Sequence, residues 1–230
     1  MIEEPIAFIG DIHGMARPLE LVLGKLGGTR HLVFLGDYVN RGPDSKAVLQ
    51  LLVEAKEEWP RAVTLLRGNH DQSLLDFVAD QDVARFARLG GLSTVASYTR
   101  EVRDGGVIGA FFSSFPTAHR ELLHGLSDYF ERGDVFASHC GFNPERPLSR
   151  TRNDVATGSH PDLFHVDARV LLGKSVVCGH YVQRSMTTYQ DRGLFAIDTG
   201  CGSMAGGPLT ALLWPEKTTI KFGGMNASGD

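Results

Sequence analysis

The first seventy residues alternate between short apolar runs and longer segments whose apolar positions recur at helical spacing. The apolar runs at 5–10, 30–36 and 61–68 have the length and composition of β-strands. The segments between them, at 16–27 and 43–59, each place one stripe of aliphatic side chains along a helix face. This alternating order predicts a parallel sheet with helical crossovers.

The pattern changes beyond residue 72. Residues 73–98 have helical character, and the last ten residues, 221–230, have the composition of a flexible tail. We therefore expect a single domain over residues 1–220. Further strands are predicted at 106–112, 134–138, 175–178, 194–198 and 209–214.

Composition and charge narrow the class of protein. With 230 residues, of which 42% are hydrophobic and 22% charged, the chain can form one sizeable core. A net charge of −4 argues against charge-driven binding to nucleic acid or to an anionic membrane. The N-terminus lacks a basic signal-peptide region, no apolar run is long enough to span a membrane, and three cysteines are too few for a disulfide scaffold. We expect a cytoplasmic protein.

Each predicted strand in the first part of the chain ends in a glycine that is followed by polar side chains able to bind a metal ion. The three strand ends read FIGDIHG at 8–14, FLGDYVNRG at 34–42 and LLRGNHD at 65–71. The carboxyl ends of parallel strands lie along one rim, where open α/β sheets bind their ligands. We expect five side chains to meet there: Asp11, His13, Asp37, Asn69 and His70.

The chemistry of this set indicates metal-assisted hydrolysis. Carboxylate, amide and imidazole groups without cysteine suit Mn²⁺, Fe or Zn²⁺ in a hydrolytic site. Two acids and an amide on one rim need cations, and two ions about 3.5–4 Å apart that share one carboxylate would satisfy them. The later segments VFASHCG at 135–141 and SVVCGH at 175–180 offer His139 and His180 as further ligands.

Five blocks of the sequence, taken in order, carry a family resemblance. GDIHG, GDYVNRG, RGNHD, SHCG and CGH resemble the signature blocks of the PPP-type, calcineurin-like metallophosphoesterases, and the resemblance runs from about residue 5 to about residue 214. That family includes phosphoprotein phosphatases and symmetrical diadenosine tetraphosphatases. The resemblance implies an α/β fold, a sandwich of two mixed β-sheets flanked by helices.

The resemblance also implies two divalent metal ions, with Mn²⁺ expected first and Fe or Zn²⁺ as alternatives. The implied metal ligands are Asp11, His13, Asp37, Asn69, His139 and His180. The first two would bind one ion, the last three would bind the other, and Asp37 would bridge both. A water between the ions, with its pKa lowered, would attack phosphorus.

The same resemblance assigns roles in substrate binding and catalysis. Arg41 would clamp the phosphoryl oxygens, and His70 would act as the general acid that protonates the leaving group. Asn69 is also a candidate for contact with substrate. Arg67 is a further candidate, with a structural ion pair as its alternative role.

The sequence departs from the phosphoprotein phosphatase pattern at three places. Asn40 stands where those enzymes usually carry an aspartate, and an amide can orient His70 without stabilising its cationic form. The third block ends in Asp71, as is common in the diadenosine tetraphosphatases. A second phosphate-binding arginine has three candidates: Arg146, Arg150 and Arg152.

Residues outside the blocks receive structural roles in this interpretation. Cys140 and Cys178 are expected to be small buried thiols, and Asp198 is expected to support the rim. The remaining histidines are expected at the surface or in loops: His31, His119, His124, His160 and His165.

Together these observations favour a serine/threonine-type phosphoprotein phosphatase that acts on phosphorylated protein or on a small phosphoester. A symmetrical diadenosine tetraphosphate hydrolase is the alternative enzyme, although the segments between blocks are short for gripping a nucleotide. A weakly active phosphate-binding scaffold is the third hypothesis, and a complete ligand set with a leaving-group acid argues against it.

Overall fold

The computed structural model describes residues 5–100 and 106–224, which form two five-stranded sheets. The first sheet has the strand order β10-β9-β1-β2-β3. Its strands are β1 (Ile6–Ile9), β2 (His31–Phe34), β3 (Val63–Leu65), β9 (Leu209–Trp214) and β10 (Thr218–Phe222). The predicted parallel arrangement is confirmed for β1, β2 and β3, while β9 runs antiparallel to β1 and extends the sheet on its other side.

The second sheet has the order β4-β5-β6-β8-β7. Its strands are β4 (Phe130–Arg132), β5 (Val135–Ala137), β6 (Ser175–Cys178), β7 (Tyr189–Asp191) and β8 (Leu194–Ala196). Strands β5, β6 and β8 are parallel, and the antiparallel strands β4 and β7 form the edges. Both sheets are therefore mixed, as the resemblance implied.

The inner faces of the two sheets pack against each other. Phe8 and Val33 of the first sheet share one buried cluster with Val135 and Val177 of the second. Burial of these aliphatic and aromatic side chains is the main favourable term that holds the sheets together. The alternate residues of β1, such as Ala7 and Ile9, point the other way into a second cluster beneath the helices.

Within residues 5–100 and 106–224, eight α-helices cover the outer faces. They are α1 (Ala16–Leu26), α2 (Ser45–Glu58), α3 (Asn69–Asp80), α4 (Val83–Arg88), α5 (Leu92–Tyr98), α6 (Val107–Ser114), α7 (Thr117–His124) and α8 (Ala168–Leu172). Helices α1 to α7 contribute to the cluster on the first sheet. Helix α8 and the helical turns at 153–157 and 161–165 cover the second sheet. None of the helices in the described ranges is long and apolar enough to cross a lipid bilayer.

The strand predicted at 106–112 is wrong, because these residues fall in and before helix α6. An apolar run of this length fits either structure, and packing decides between them. Here the Phe111 ring contacts the rings of Phe77, Tyr98 and Phe115. Helix α6 places Phe111 within reach of all three. The helical stretch predicted at 73–98 consists of three helices and begins earlier, at Asn69.

Several short elements were not predicted. The edge strands β4 and β7 have three residues each, partly exposed, and so lack a strong hydrophobic pattern. Strand β10 takes Lys221 and Phe222, the first two residues of the tail predicted at 221–230, into the first sheet. Residues 225–230 of that tail lie outside the described residues.

Candidate metal centre and active site

The loops that follow five strands meet at one end of the sandwich. Strands β1, β2 and β3 deliver side chains from the first sheet, and β5 and β6 deliver them from the second. This juxtaposition brings together all six residues predicted as metal ligands: Asp11, His13, Asp37, Asn69, His139 and His180. The sheet-to-sheet packing therefore assembles the site from distant parts of the chain.

Asp37 lies at the middle of this cluster. Its Oδ2 atom is 3.4 Å from His139 Nε2, 3.7 Å from His13 Nε2 and 3.9 Å from His70 Nε2. His13 Nε2 is in turn 4.0 Å from Asp11 Oδ2. A carboxylate surrounded in this way can be shared between two cations.

Asn69 forms the centre of the neighbouring group. Its Oδ1 atom is 3.0 Å from His180 Nδ1 and 3.1 Å from His139 Nε2, and those two ring nitrogens are 3.2 Å apart. An amide oxygen and two imidazole nitrogens that converge in this way offer three lone pairs to one point. Such a point suits a divalent cation.

Hydrogen bonds on the far side of two rings orient them toward the cluster. His13 Nδ1 donates to the carbonyl of Val39 at 3.0 Å, and His139 Nδ1 donates to the carbonyl of Leu35 at 3.0 Å. A ring whose Nδ1 carries hydrogen presents the Nε2 lone pair to the centre, which is the arrangement found around metal-bound histidines. Both rings are fully buried.

The cluster contains more buried negative charge than its own residues balance. Burial and the nearby Asp198 raise the pKa of Asp11 well above its ordinary value, and Asp198 itself has a buried Oδ2 without a hydrogen-bond partner among the described residues. Burial alone would lower the pKa of His139, but Asp37 and Asp11 outweigh it and raise that pKa to about 10. Cations would relieve this imbalance, so the residues fit a pair of divalent ions.

Several side chains of the site stand on strained backbone. The φ angle is positive at His13 (45°), Asp37 (55°), Asn40 (69°), Arg41 (66°) and His180 (62°). Positive φ is costly for residues other than glycine and is concentrated at functional sites. The backbone here is therefore fixed by its surroundings to aim these side chains inward.

Two glycines allow the chain to approach the carboxylates. A Cβ atom on Gly68 would lie 2.1 Å from Asp37 Oδ1, and one on Gly179 would lie 2.1 Å from Asp11 Oδ1. The glycines that precede Asn69 and His180 are therefore required for close packing around the acids.

Arg41 lies at the exposed mouth of the cluster. Its Nη1 atom is 3.0 Å from His13 Nε2 and donates to Ser203 Oγ at 2.5 Å, while its Nη2 atom is 3.1 Å from His70 Nε2. The guanidinium therefore lies next to one predicted metal ligand, His13, and next to the predicted general acid, His70. Ser203, which lies on the loop before β9, carried no sequence signal for this contact.

His70 is buried beside the cluster and held by Asn40. The amide Nδ2 of Asn40 lies 3.0 Å from His70 Nδ1, and the Asn40 Oδ1 accepts a hydrogen bond from the Thr94 hydroxyl at 2.8 Å. The Asn40 amide orients the ring through Nδ1, and Nε2 faces Asp37. Burial lowers the pKa of His70. The sequence suggested the Asn40 contact, but not the support from Thr94 on α5.

The family follows from the sequence match. A family model described as calcineurin-like phosphoesterase matches residues 4–210 of the chain. The chain belongs to this family. Calcineurin-like phosphoesterases use a dinuclear centre of divalent metal ions, and the clustered acids and histidines provide the ligands that such a centre needs.

Among known proteins, this metallophosphoesterase is similar to eukaryotic protein phosphatases. It is 41% identical over 181 residues to the serine/threonine-protein phosphatase PP2A-like PPG1 of Candida albicans, covering 74% of this chain and 39% of that protein. It is 35% identical over 179 residues to the serine/threonine-protein phosphatase 4 catalytic subunit of Saccharomyces cerevisiae, covering 72% of this chain and 50% of that one. The chain thus spans half or less of these relatives' lengths.

The fold has solved counterparts. A structure described as that of a candidate diadenosine tetraphosphatase superposes with a TM-score of 0.63, covering 98% of this chain and 96% of that one at 23% identity. A Saccharomyces cerevisiae protein serine/threonine phosphatase gives 0.61, covering 99% and 82% at 16% identity. Identities this low show the shared fold alone, which agrees with the two-sheet sandwich implied by the sequence.

Arg67 of the metallophosphoesterase is engaged away from the cluster. It is buried and donates to Asp128 Oδ1 at 3.2 Å, to Gln72 Oε1 at 3.3 Å and to the carbonyl of Leu126 at 3.2 Å. These partners occupy its donors, so the geometry favours the structural ion pair over phosphate contact. A contact between Arg67 and substrate stays a prediction.

The three arginines left open by the sequence differ in their surroundings. Arg146 pairs with the buried Asp154 at 2.8 Å, and Arg150 stacks over Phe136 with its charge 4.3 Å from the ring centre. Arg152 bonds Asp128 at 3.0 Å and lies 3.4 Å from Gln72 Oε1 in the first turn of α3. It is therefore the one of the three that contacts the helix beginning at Asn69.

Other buried polar residues are accounted for without a ligand. The Asp71 carboxylate accepts hydrogen bonds from the backbone of Asp37, Tyr38 and Gly68, which pins two of the loops together. Burial and Asp37 raise the Asp71 pKa to about 7. Cys140 and Cys178 are buried free thiols, as expected.

Two histidines predicted at the surface or in loops lie elsewhere. His31 is buried in β2, and His119 is buried in α7. Each of the two histidines has a polar partner on the inward side of its element. That partner lies elsewhere in the chain, so the sequence around the histidine does not reveal it.

Proposed function

We propose that this metallophosphoesterase is a cytoplasmic serine/threonine-type phosphoprotein phosphatase that uses two Mn²⁺ ions. Its similarity to PP2A-like and PP4-type phosphatases supports the class of substrate. The observation that carries the proposal is the convergence of two donors, Arg41 Nη2 and His70 Nε2, which are 3.1 Å apart at the mouth of the cluster. When His70 is protonated both nitrogens carry hydrogen, so a phosphoryl oxygen that contacts the two would accept a hydrogen bond from each.

The proposed ligands divide between two ions. Asp11 and His13 would hold one ion, Asn69, His139 and His180 would hold the other, and Asp37 would contribute to both. Bound divalent ions supply a water nucleophile of lowered pKa and stabilise charge on phosphoryl oxygens. The Asp198 carboxylate, buried behind Asp11, adds negative charge that favours cations in this position.

Two residues act on the phosphoester itself. Arg41 binds the nonbridging phosphoryl oxygens through its planar fork and orients the phosphorus for in-line attack. His70 donates the Nε2 proton to the leaving serine or threonine oxygen, which is a poor leaving group without it. The acid is the protonated ring, and Asn40 orients it through its contact with Nδ1. Hydrolysis then needs no covalent phosphoenzyme.

A symmetrical diadenosine tetraphosphate hydrolase is the second candidate. Asp71, rather than glutamate, closes the third block, and the solved counterpart of that description matches nearly the whole chain. The residues of the described 106–124 segment, however, pack into the aromatic core with Phe77 instead of standing over the cluster as a nucleotide cap.

Parallel assays on three substrates test the proposal. We expect the Mn²⁺-loaded protein to hydrolyse a phosphoserine peptide and p-nitrophenyl phosphate with kcat/KM well above that for diadenosine tetraphosphate. Metal-stripped protein, assayed with and without added Mn²⁺, is the control for metal dependence. Preferred cleavage of diadenosine tetraphosphate would overturn the phosphatase assignment, and binding of phosphate without turnover of any substrate would support the scaffold instead.

A further inference from the structure

A groove of about 510 Å³ opens directly beside Arg41. Two methionines, Met15 and Met204, and two prolines, Pro18 and Pro43, provide its larger apolar surfaces. The rest of its lining comes from Gly42, Gly224 and the small residues of the loop at 202–207. We call it the Met15–Met204 groove.

Contacts join this groove to the proposed phosphate site. Ser203 in its wall accepts a hydrogen bond from Arg41 Nη1, and Gly42 in its floor donates to the carbonyl of His13 at 3.0 Å. The backbone of Gly202 packs so closely on His13 that a Cβ atom there would lie 2.6 Å from the His13 Cβ. Ser203 and Gly42 therefore place the groove next to the residues that would contact the substrate phosphate.

The lining indicates what the groove can hold. It contains no charged side chain, so a charged group placed in it would lose hydration without gaining a partner. It contains no aromatic ring, so a nucleobase would have no surface on which to stack. Methionine side chains, by contrast, adapt to aliphatic groups of different shape and are common on surfaces that bind several peptides.

The loop also offers main-chain donors. Within the described residues, the backbone N–H groups of Ala205 and Gly206 have no hydrogen-bond acceptor. Ala205 is exposed and Gly206 is partly exposed. An extended peptide could bond them with its carbonyl groups while a side chain enters the groove.

We propose that the Met15–Met204 groove binds an aliphatic side chain next to the phosphorylated residue of an extended phosphopeptide. This inference rests on the proposed phosphatase function and adds a sequence preference to it. Consecutive residues of an extended chain advance by about 3.3 Å each, so the side chain concerned belongs to a residue within two positions of the phosphoserine.

Peptides that differ at those positions measure the preference. A phosphoserine peptide carries leucine, glycine, lysine or aspartate in turn at each of the two positions on either side. At one position we expect leucine to exceed glycine in kcat/KM by about tenfold or more, mainly through KM, and both charged residues to fall below glycine; about 10- to 200-fold is the usual range for one apolar group in a hydrophobic pocket.

Variants of Ala205 assign that preference to the groove. Ala205→Trp should fill the groove and bring the leucine and glycine peptides to similar kcat/KM. Ala205→Glu should shift the preference toward lysine, and it covers the case in which the tryptophan variant fails to fold. Ala79→Trp, at an exposed position near the end of α3, is the matched control and should keep the leucine preference.

Other outcomes would overturn the inference. Equal kcat/KM for all flanking residues, or a leucine preference that survives both Ala205 variants, would exclude this groove as the subsite. A leucine preference that emerges only when the chain is ended at Gly224 would mean that residues 225–230 fill the groove in the intact protein. An Ala205→Trp variant that raises KM for diadenosine tetraphosphate would assign the groove to a nucleoside. The proposed function fails separately, through absence of phosphopeptide turnover in the unmodified protein.

Discussion

Two histidines of this protein, His139 and His119, are both buried but have different hydrogen-bond partners and opposite pKa shifts. His139 faces Asp37 and Asn69, and the surrounding carboxylates raise its pKa to about 10. His119, under helices α2 and α5, has a neutral partner on each nitrogen: the Tyr98 hydroxyl at 2.7 Å and the Gln50 Oε1 atom at 3.2 Å. Burial and then Lys46 lower its pKa to about 4.

The difference teaches which feature of a buried histidine indicates a cation site. Both ring nitrogens of His119 are paired by neutral groups, so they leave nothing for an ion to balance. At His139 the inward nitrogen faces Asp37, and the buried Asp198 adds an oxygen that has no partner among the described residues. An excess of carboxylate groups, and not the presence of a histidine, therefore distinguishes the cation site at His139 from the surroundings of His119.

The largest effect is expected at the bridging acid. Asp37→Asn should reduce hydrolysis of p-nitrophenyl phosphate to the background rate and weaken Mn²⁺ binding at both sites, because one Asp37 oxygen, Oδ2, faces both His13 and His139. Calorimetric titration should give about two ions per chain for the parent protein. Asp162→Asn, on an exposed turn, is the matched control.

One tightly bound ion with full activity in the parent protein would contradict the dinuclear assignment. Unchanged Mn²⁺ binding in Asp37→Asn would contradict the central position of that carboxylate.

A smaller effect is expected at His70, which is buried beside the cluster without being a proposed ligand. His70→Asn should lower turnover of a phosphoserine peptide by about 10²- to 10⁴-fold, the usual contribution of a positioned acid. Turnover of p-nitrophenyl phosphate should fall less, because that leaving group needs little protonation. Metal content should match that of the exposed control His165→Asn.

Equal losses on both substrates would mean that His70 has another role. Loss of metal in His70→Asn would move it into the ligand set, which its 3.9 Å distance from Asp37 Oδ2 would then explain.

The smallest effect concerns stability at His119. Its lowered pKa means that the unfolded chain binds a proton more readily than the folded one, so its contribution is complete above about pH 6.5 and is lost as the pH falls toward 4. His119→Gln should cost about 1 kcal/mol in the free energy of unfolding at pH 7 through lost hydrogen bonds. This gap should narrow at pH 4.5, as measured by urea unfolding with metal and ionic strength held fixed. A gap that widens at low pH would show that His119 is charged in the folded protein.

Much of the site could be predicted because its residues lie in short segments that each have a recognisable pattern. Each of these strands ends in a glycine followed by a carboxylate, amide or imidazole group, which places that group at the rim of the sheet. Because the strands are parallel neighbours, the groups at their ends lie close together. Asp11 and Asp37 are therefore predictable from short segments, whatever the rest of the chain does.

The contacts that could not be predicted join residues far apart in the chain. Ser203 meets Arg41 across 162 positions, and Arg67 is occupied by Asp128, 61 positions later. Neither partner has a pattern of its own in the sequence. The error at α6 has another cause, since an apolar run rich in phenylalanine suits both helix and strand until Phe111 finds its aromatic neighbours.

The two-sheet origin of the cluster has a thermodynamic consequence. Asp37 comes from the first sheet and His139 from the second, yet their side chains are 3.4 Å apart. A cation held by both residues binds only while the sheets are packed together, so each mole of bound ion draws the folding equilibrium toward the closed sandwich by mass action. The concentration of free divalent ions around the protein therefore affects the stability of the folded state as well as the rate of turnover.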